Sequence, residues 1–217
     1  MRRALFLAAA LAAAAPARAA TDWFVGNGKA GSLTLSTTRV ENSTATTLFI
    51  NVNPGDTIVQ VQSNAAFTSG DLVFLIQMYG TGAGTYEFAR VLDTVGAHLD
   101  LTSGTVHGYN TPGAEVLRVV EYSSVTLNSG AGWDAPSFSS TTSQGGVFVA
   151  AVRGDMTINA GALLTMQSGG FPGGQGVAGS NGYQGYGTSG LGAQSTAANG
   201  NAGGGGLMST GGGGGGG

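Results

Sequence analysis

The sequence predicts an all-β protein: a small β-barrel-like domain, then a short parallel β-helix-like stack, then a glycine-rich low-complexity tail. Three observations support this prediction. Short runs rich in branched and aromatic side chains alternate with turn residues. No window outside the N-terminal apolar run has a sustained helical repeat. Glycine supplies 41 of the 217 residues and accumulates after Asp155, the last charged residue.

The N-terminus has the organisation of a bacterial-type secretory signal. A basic start, Met1-Arg2-Arg3, precedes an apolar run over residues 4–15 and a small-x-small cleavage motif, Ala17-Arg18-Ala19. We therefore predict a signal peptide over residues 1–19, with no transmembrane segment after its cleavage. The alternative is an anchor helix that stays attached, but the run is short for a membrane span. The arginine pair faintly resembles a twin-arginine signal, which would suit a cofactor-loaded protein.

Charge and cysteine content exclude several classes of function. The chain has no cysteine, which excludes disulfides, zinc–thiolate sites, cysteine nucleophiles and lipid modification of an N-terminal cysteine. Loss of Arg2, Arg3 and Arg18 with the signal leaves five basic against 11 acidic side chains, a net charge of about −6. An acidic, charge-poor chain is a poor candidate for binding nucleic acid or an anionic membrane.

The barrel-like domain is predicted over residues 20–122. Turn residues such as those at 53–56, 68–71 and 111–113 separate short apolar runs. Strands at this spacing fit a small closed or nearly closed barrel, which leaves no exposed sheet edge. The predicted strands are residues 48–52, 57–61, 72–76, 86–92, 98–101 and 116–120.

The stack is predicted over residues 123–168. Its short strands alternate with glycine, serine and asparagine corners, which is typical of the rungs of a parallel β-helix. The edge of a β-sandwich is the alternative. The predicted strands are residues 125–128, 146–152, 155–160 and 163–167.

The tail, residues 169–217, contains 23 glycines in 49 residues and no charge. Ordering it would cost about 1 to 2 kcal/mol per residue, more than its few large apolar side chains can return. It is therefore expected to be disordered or to form polyglycine-like strands. Its first glycines recur every three residues, which suits extended strands that pair with copies of themselves. We hypothesise an uncharged spacer that self-associates, and undiminished adhesion of a chain ending at Ser168 would contradict this.

The search for catalytic and metal-binding residues identifies none. His98 and His107 lie in turn-rich sequence without a His-Glu-x-x-His helix, and they are expected to be exposed or at strand ends. No Gly-x-Ser-x-Gly elbow occurs. The predicted catalytic, cofactor-binding and metal sites are therefore none, and the chain is predicted not to be an enzyme.

One motif resembles a phosphate-binding loop. Gly26-Asn27-Gly28-Lys29-Ala30-Gly31 fits G-x-G-x-x-G, whose mechanism needs a helix to follow the loop. A strand pattern over residues 33–38 follows instead. The glycines are therefore expected to supply turns with positive φ.

Two ligand classes have candidate residues. Asp56 and Asp71 each follow a glycine in a turn and could bind calcium, although capping of the turn explains them without an ion. Exposed aromatic rings could stack on carbohydrate, although packing of most of them in the core is the expected role. The aromatic candidates are Trp23, Tyr79, Tyr86, Tyr109, Tyr122 and Trp133.

Several short motifs follow one another between residues 23 and 174. They are Trp23-Phe24-Val25-Gly26-Asn27-Gly28, Gly70-Asp71-Leu72-Val73, Ile76-Gln77-Met78, Tyr86-Glu87-Phe88-Ala89-Arg90-Val91, Arg118-Val119-Val120-Glu121-Tyr122, Trp133-Asp134, Gly145-Gly146-Val147 and Gly169-Gly170-Phe171-Pro172-Gly173-Gly174. In their order and spacing the chain resembles glycine-rich secreted surface proteins of gliding soil bacteria, the adventurous-gliding-motility type. Glu121 stands where that pattern has a proline. The resemblance implies a surface location and a link to motility or adhesion, and it supplies no catalytic residues.

These observations predict a secreted or cell-surface structural or adhesive protein, associated with gliding motility and non-catalytic. Its expected partners are a cell-envelope or extracellular polysaccharide and further copies of itself through the tail. Because proteins of this type continue past their first glycine run, the chain is expected to be a fragment or a truncated product. The alternative function is a carbohydrate-binding module of a longer secreted polysaccharide-active protein.

Overall fold

The structure is a computed structural model that describes residues 26–167, 169–171, 174, 181–187 and 192–194. The predicted signal, Trp23 and most of the tail lie outside these residues. Within them the chain forms strands and no helix, so none of this part could cross a membrane as a helix. The strands are β1 (Ser32–Leu35), β2 (Arg39–Val40), β3 (Ala45–Thr47), β4 (Ile58–Gln60), β5 (Leu72–Gln77), β6 (Tyr86–Val95), β7 (His98–Leu101), β8 (Ala114–Val119), β9 (Glu121–Tyr122), β10 (Ser124–Leu127), β11 (Gly132–Asp134), β12 (Ala151–Val152), β13 (Met156–Ile158) and β14 (Leu163–Leu164).

Eight of these strands form a parallel stack of three coils. β10 lies between β1 and β13, and β11 lies between β2 and β14, all in parallel register. β9 and β12 form a third parallel pair. Coil one therefore consists of β1 and β2, coil two of β9 to β11, and coil three of β12 to β14.

Asparagine and glycine make one corner of the stack. Asn128 follows β10 and Asn159 follows β13, and their side-chain amides are hydrogen-bonded to each other at 3.4 Å. The Asn128 amide also donates to the Ser36 hydroxyl in coil one at 3.0 Å. Two residues further on, Gly130 and Gly161 turn the chain with φ of 79° and 83°, values that glycine adopts without steric cost.

The barrel-like domain is inserted between coil one and coil two. Its sheet is antiparallel, in the order β3-β8-β5-β6-β7-β4. The two edges meet where Leu48 and Val61 form an antiparallel bridge, supported by the Phe49 N–H donating to the Gln60 carbonyl at 2.9 Å. The sheet thus closes on itself.

Alternation along the strands divides the apolar side chains between two cores. Val73, Leu75 and Val116 point into the barrel with the buried Tyr109. Leu72 and other residues on the opposite face of β5 and β8 pack against the segment that precedes β12. Period-two alternation produces both faces, because successive strand residues point to opposite sides.

The predicted all-β class, with a barrel-like sheet and a parallel stack, is confirmed. The boundary between the two differs from the predicted one: β1 and β2, within residues 20–122, pair with the stack and not with the barrel. The stack is therefore discontinuous in sequence. The strand predicted at 48–52 was wrong, because the chain pairs just before it, as β3, and at 48–52 makes only the bridges of Leu48 and Val52. Of residues 146–152 only β12 is a strand.

The described part of the glycine-rich segment lies against the barrel. Tyr186 packs on Tyr79 and Phe138 with ring centroids 4.9 Å apart in each case, and Phe171 packs on Phe138 at 4.6 Å. Gly187 accepts a backbone hydrogen bond from Gly80 at 2.8 Å. These residues of the predicted spacer are thus anchored by aromatic contacts.

Candidate functional site

The glycine-rich loop at 26–31 binds a carboxylate of the chain itself. Gly26, Gly28 and Gly31 all have positive φ, as predicted. The Asn27 N–H donates to the Glu121 carboxylate at 2.9 Å, and the Ala30 N–H donates to the Glu121 carbonyl. Strand β1 follows the loop, also as predicted. Glu121 thus occupies the position that an anion would take.

The two aspartates proposed for calcium cap turns. The Asp56 carboxylate accepts the Asn53 N–H at 2.7 Å, and the Asp71 carboxylate accepts the Thr68 N–H at 2.9 Å. Each side chain therefore caps its turn by accepting the N–H of the residue three positions earlier, which fits the predicted capping role. The described residues contain no group of three histidine or acidic side chains placed to hold a metal ion.

The two histidines lie in different elements. His98 begins β7, where it pairs with Gln60 of β4. His107 is exposed in the loop before β8, and its backbone N–H donates to the Glu87 carboxylate at 3.1 Å. Their placement fits the predicted strand-end and exposed positions.

Core packing accounts for most of the aromatic candidates for carbohydrate binding. Tyr79, Tyr109, Tyr122 and Trp133 are buried, and Trp23 lies outside the described residues. Tyr86 is the exception: its side chain is 57% exposed on the outer face of β6. Its ring centroid lies 5.4 Å from that of Phe74, whose own ring packs on Phe88 at 4.9 Å. The exposed Tyr86 ring is therefore supported from one side by the ring of Phe74.

A buried carboxylate, Glu41, connects coil one to coil two. One of its oxygens accepts hydrogen bonds from the Tyr122 hydroxyl at 2.8 Å, the Trp133 indole at 2.9 Å and the Arg39 guanidinium at 3.2 Å. Burial, then the hydrogen bond to Glu41, raises the pKa of Tyr122 above its ordinary value. One oxygen of this carboxylate thus ties the start of the inserted barrel to the stack.

A second buried carboxylate, Glu121, fastens the stack to the barrel. Its two oxygens accept two parallel hydrogen bonds from Arg90 of β6, at 2.8 and 2.9 Å. The same guanidinium donates to the Gly70 carbonyl at 3.0 Å. A fork-to-fork pair of this kind fixes distance and orientation together.

A third buried carboxylate, Glu115, lies on the outer face of β8. Its side chain accepts hydrogen bonds from the Gly145 N–H at 3.1 and 3.3 Å, and it forms no salt bridge within the described part of the chain. Burial raises its pKa to about 7, against the opposing effect of the Gly145 hydrogen bond. Gly145 belongs to the loop that carries Phe138 and Ser143, and the Ser143 hydroxyl is hydrogen-bonded to that of Tyr79 at 2.7 Å.

Sequence patterns did not identify the three carboxylates. Glu115 and Glu121 lie in or beside an apolar run, where an isolated glutamate is a detectable signal because charged groups are rarely buried without partners. Glu41 lies in polar sequence and gives no such signal. Glu115 interrupts the buried face of β8, which includes Leu117 and Val119. Apart from Arg39, which lies two positions from Glu41, the partners come from residues 30 to 94 positions away. Only the tertiary fold brings them together.

Comparison with known proteins finds only weak structural similarity. No family model and no curated protein matches the chain. Among solved structures, the tailspike protein gp49 from Pseudomonas phage LKA1 is 12% identical with a TM-score of 0.31, over 45% of this chain and 19% of that one. The Pseudomonas phage phi297 tailspike gp61 is 13% identical with a TM-score of 0.33, over 59% and 24%. Gp54 tailspike of Acinetobacter baumannii bacteriophage AP22, solved with A. baumannii capsular saccharide, is 13% identical with a TM-score of 0.32, over 61% and 23%. The matched region thus spans less than a quarter of each tailspike, and these TM-scores carry no inference about this chain.

Proposed function

We propose that the chain is a non-catalytic structural segment of a secreted or cell-surface protein, in which a parallel stack presents an inserted barrel. The proposal rests on the hydrogen bonds that three buried carboxylates form within the chain. Glu41, Glu115 and Glu121 are all hydrogen-bonded to other parts of the chain. A catalytic acid or base must reach the proton that it transfers, whereas these side chains join coils, loop and barrel.

The surface location is tested on intact cells of the organism that encodes the chain. Antibodies against the barrel are expected to label intact cells as strongly as permeabilised ones, and external protease is expected to remove the signal. A periplasmic protein treated in parallel is the control, because it becomes accessible only after permeabilisation. Labelling that requires permeabilisation would contradict a surface role.

The link to gliding rests on the sequence resemblance. We propose that deletion of the gene reduces the spreading and surface attachment of single cells. The control is the deletion strain that carries the wild-type gene again, in which spreading and attachment are expected to return. Spreading and attachment equal to wild type in the deletion strain would remove motility and adhesion from the proposed function.

A second candidate function, polysaccharide binding, is favoured by Tyr86. An exposed ring that is supported from behind offers a flat apolar surface to a sugar ring. Replacement by alanine is expected to abolish retardation of the protein in gels that contain an uncharged bacterial polysaccharide, while the protein stays folded. Phe49→Ala is the matched control, because Phe49 is also an exposed aromatic residue of the barrel but lies outside strand β6. Equal mobility of wild type and Tyr86→Ala in every gel would reject this function.

A further inference from the structure

The loop at residues 136–146 carries the docking site of the glycine-rich segment. Its Phe138 ring packs on Tyr186 and Phe171 of that segment, with ring centroids 4.9 and 4.6 Å apart. The Phe138 N–H also donates to the Gly169 carbonyl at 2.9 Å. A movement of the loop would therefore break these contacts.

The inner end of this loop lies on the barrel through two contacts. Gly145 is buried and donates its N–H to the Glu115 carboxylate. The Ser143 hydroxyl is hydrogen-bonded to that of Tyr79. Glu115 itself is 0% exposed and lies on β8, between β3 and β5 in the sheet. Because β8 is held on both sides, the loop is the part of this contact that is free to move.

The backbone of the closed loop is strained. Ser143 has a φ of 57°, in the left-handed region that residues other than glycine rarely adopt. Gly145 has a φ of 89°, and a Cβ at this position would collide with the Ser137 carbonyl oxygen. Such conformations persist where the surrounding contacts impose them. The contacts with Glu115 and Tyr79 therefore hold the loop closed.

The elements packed on Glu115 offer it no positive charge. In the sheet it stands between Thr47 of β3 and Ile76 of β5. The loop and the glycine-rich segment contain no charged side chain. The titratable groups of the aromatic cluster beside the loop are the phenols of Tyr79 and Tyr186, which cannot act as cations. A charge on Glu115 is therefore balanced by no cation in the described part of the chain, and burial of an unpaired charge is costly.

We propose that Glu115 is a pH-dependent latch for the loop at residues 136–146. While the carboxyl is neutral, the loop stays closed on β8 and holds the glycine-rich segment against the barrel. When the carboxyl ionises, the loop opens, water reaches the carboxylate and the segment is released. The chain thus retains its glycine-rich segment in acid and exposes it in a mildly alkaline medium.

Hydrogen exchange of the full chain, purified after export and measured by NMR at pH 5 and pH 8, tests the proposal. After correction for intrinsic exchange, the protection of the Phe138 and Gly145 amides is expected to fall about 70-fold. The factor follows from a pKa of about 7 for Glu115 in the closed loop and of 4.5 once it reaches water. Exchange of these amides is expected to be insensitive to low urea, whereas that of Val125 in the stack, which needs wider unfolding, is expected to accelerate. Equal urea dependence of the three amides would overturn the proposal.

Two variants separate Glu115 from other effects of pH. Glu115→Gln is expected to abolish the fall in protection, because it has no carboxyl to ionise. Glu87→Gln removes a carboxyl that accepts the N–H groups of another loop, and it is expected to keep the fall. The same fall in the wild type and in both variants would contradict the latch.

Proteolysis of the wild type tests the release without any variant. The rate of chymotrypsin cleavage after Tyr186, relative to that of a short peptide with the same sequence, is expected to rise about tenfold from pH 6 to pH 8. An unchanged relative rate would show that the segment is not released.

Discussion

Replacement of Glu121 by glutamine is expected to lower the free energy of unfolding by about 3 kcal/mol. The change keeps the size of the side chain but removes the charge that two hydrogen bonds from Arg90 compensate. Breaking a buried pair by removing one partner is strongly destabilising, because the other charge stays desolvated. The expected loss is at the low end of the usual range, since Arg90 is 25% exposed and water reaches it. Urea denaturation measures the loss.

The pair of Arg39 with the buried Glu41 supplies the comparison for this variant, because its arginine is more exposed than Arg90. Arg39→Gln is expected to lower the free energy of unfolding by less than Glu121→Gln does, because the Arg39 side chain is 43% exposed and Glu41 keeps its hydrogen bonds from Tyr122 and Trp133. In a double-mutant cycle, Arg90→Gln with Glu121→Gln is expected to lose clearly less than the sum of the two single changes. Additive losses would show that the pair does not couple the barrel to the stack.

Stability is expected to fall as the pH rises from about 4.5 to about 7, because of Glu115. Burial raises the pKa of this carboxyl in the folded chain to about 7, against an ordinary value of 4.5. The folded state therefore binds more protons than the unfolded state in this interval, and the stabilisation present below pH 4.5 is lost as the folded group ionises. The shift corresponds to about 3 kcal/mol, since one pKa unit equals about 1.4 kcal/mol.

Glu115→Gln isolates this effect. The variant has no carboxyl to ionise, so the difference in unfolding free energy between variant and wild type is expected to grow in favour of the variant from pH 5 to pH 8. Urea denaturation at each pH provides the values. Phe49→Ala is the control, because it leaves every carboxyl in place and its pH profile is expected to run parallel to that of wild type. Parallel pH profiles of wild type and Glu115→Gln would contradict the raised pKa.

The strands of the barrel were predictable because they follow local rules. β5, β6 and β7 combine apolar residues with turns whose caps, such as Asp71, lie within a few residues. The turn glycines of the loop at 26–31 were also predictable, since positive φ is a local requirement. The pairing of strands that are distant in sequence was not predictable from local rules. β1 was assigned to the barrel because nothing near it in sequence reveals its partner, β10.

A repeat within the stack was nevertheless present in the sequence. Residues 125–131, Val-Thr-Leu-Asn-Ser-Gly-Ala, correspond to residues 156–162, Met-Thr-Ile-Asn-Ala-Gly-Ala. The structure places these two segments in adjacent coils, with asparagine and glycine at the shared corner. Leu33-Thr34-Leu35-Ser36 begins the same pattern, so comparison of the three segments could have placed coil one. The sites of the buried carboxylates do not repeat in this way, because each of the three has a different set of partners.

The insertion of the barrel between two coils bears on the order in which the chain acquires its structure. Ser32 of β1 and Ser124 of β10 are 92 residues apart in sequence, and closing a flexible loop of that length is entropically costly. Two neighbouring pairs of the barrel, β5–β6 and β6–β7, are close in sequence, and near the two ends of the insertion the Arg118 N–H donates to the Thr44 carbonyl at 2.9 Å. A folded barrel therefore holds the ends of coil one and coil two side by side. We therefore expect the barrel to form before coil one pairs with coil two, so that the insertion lowers the entropic cost of closing the stack.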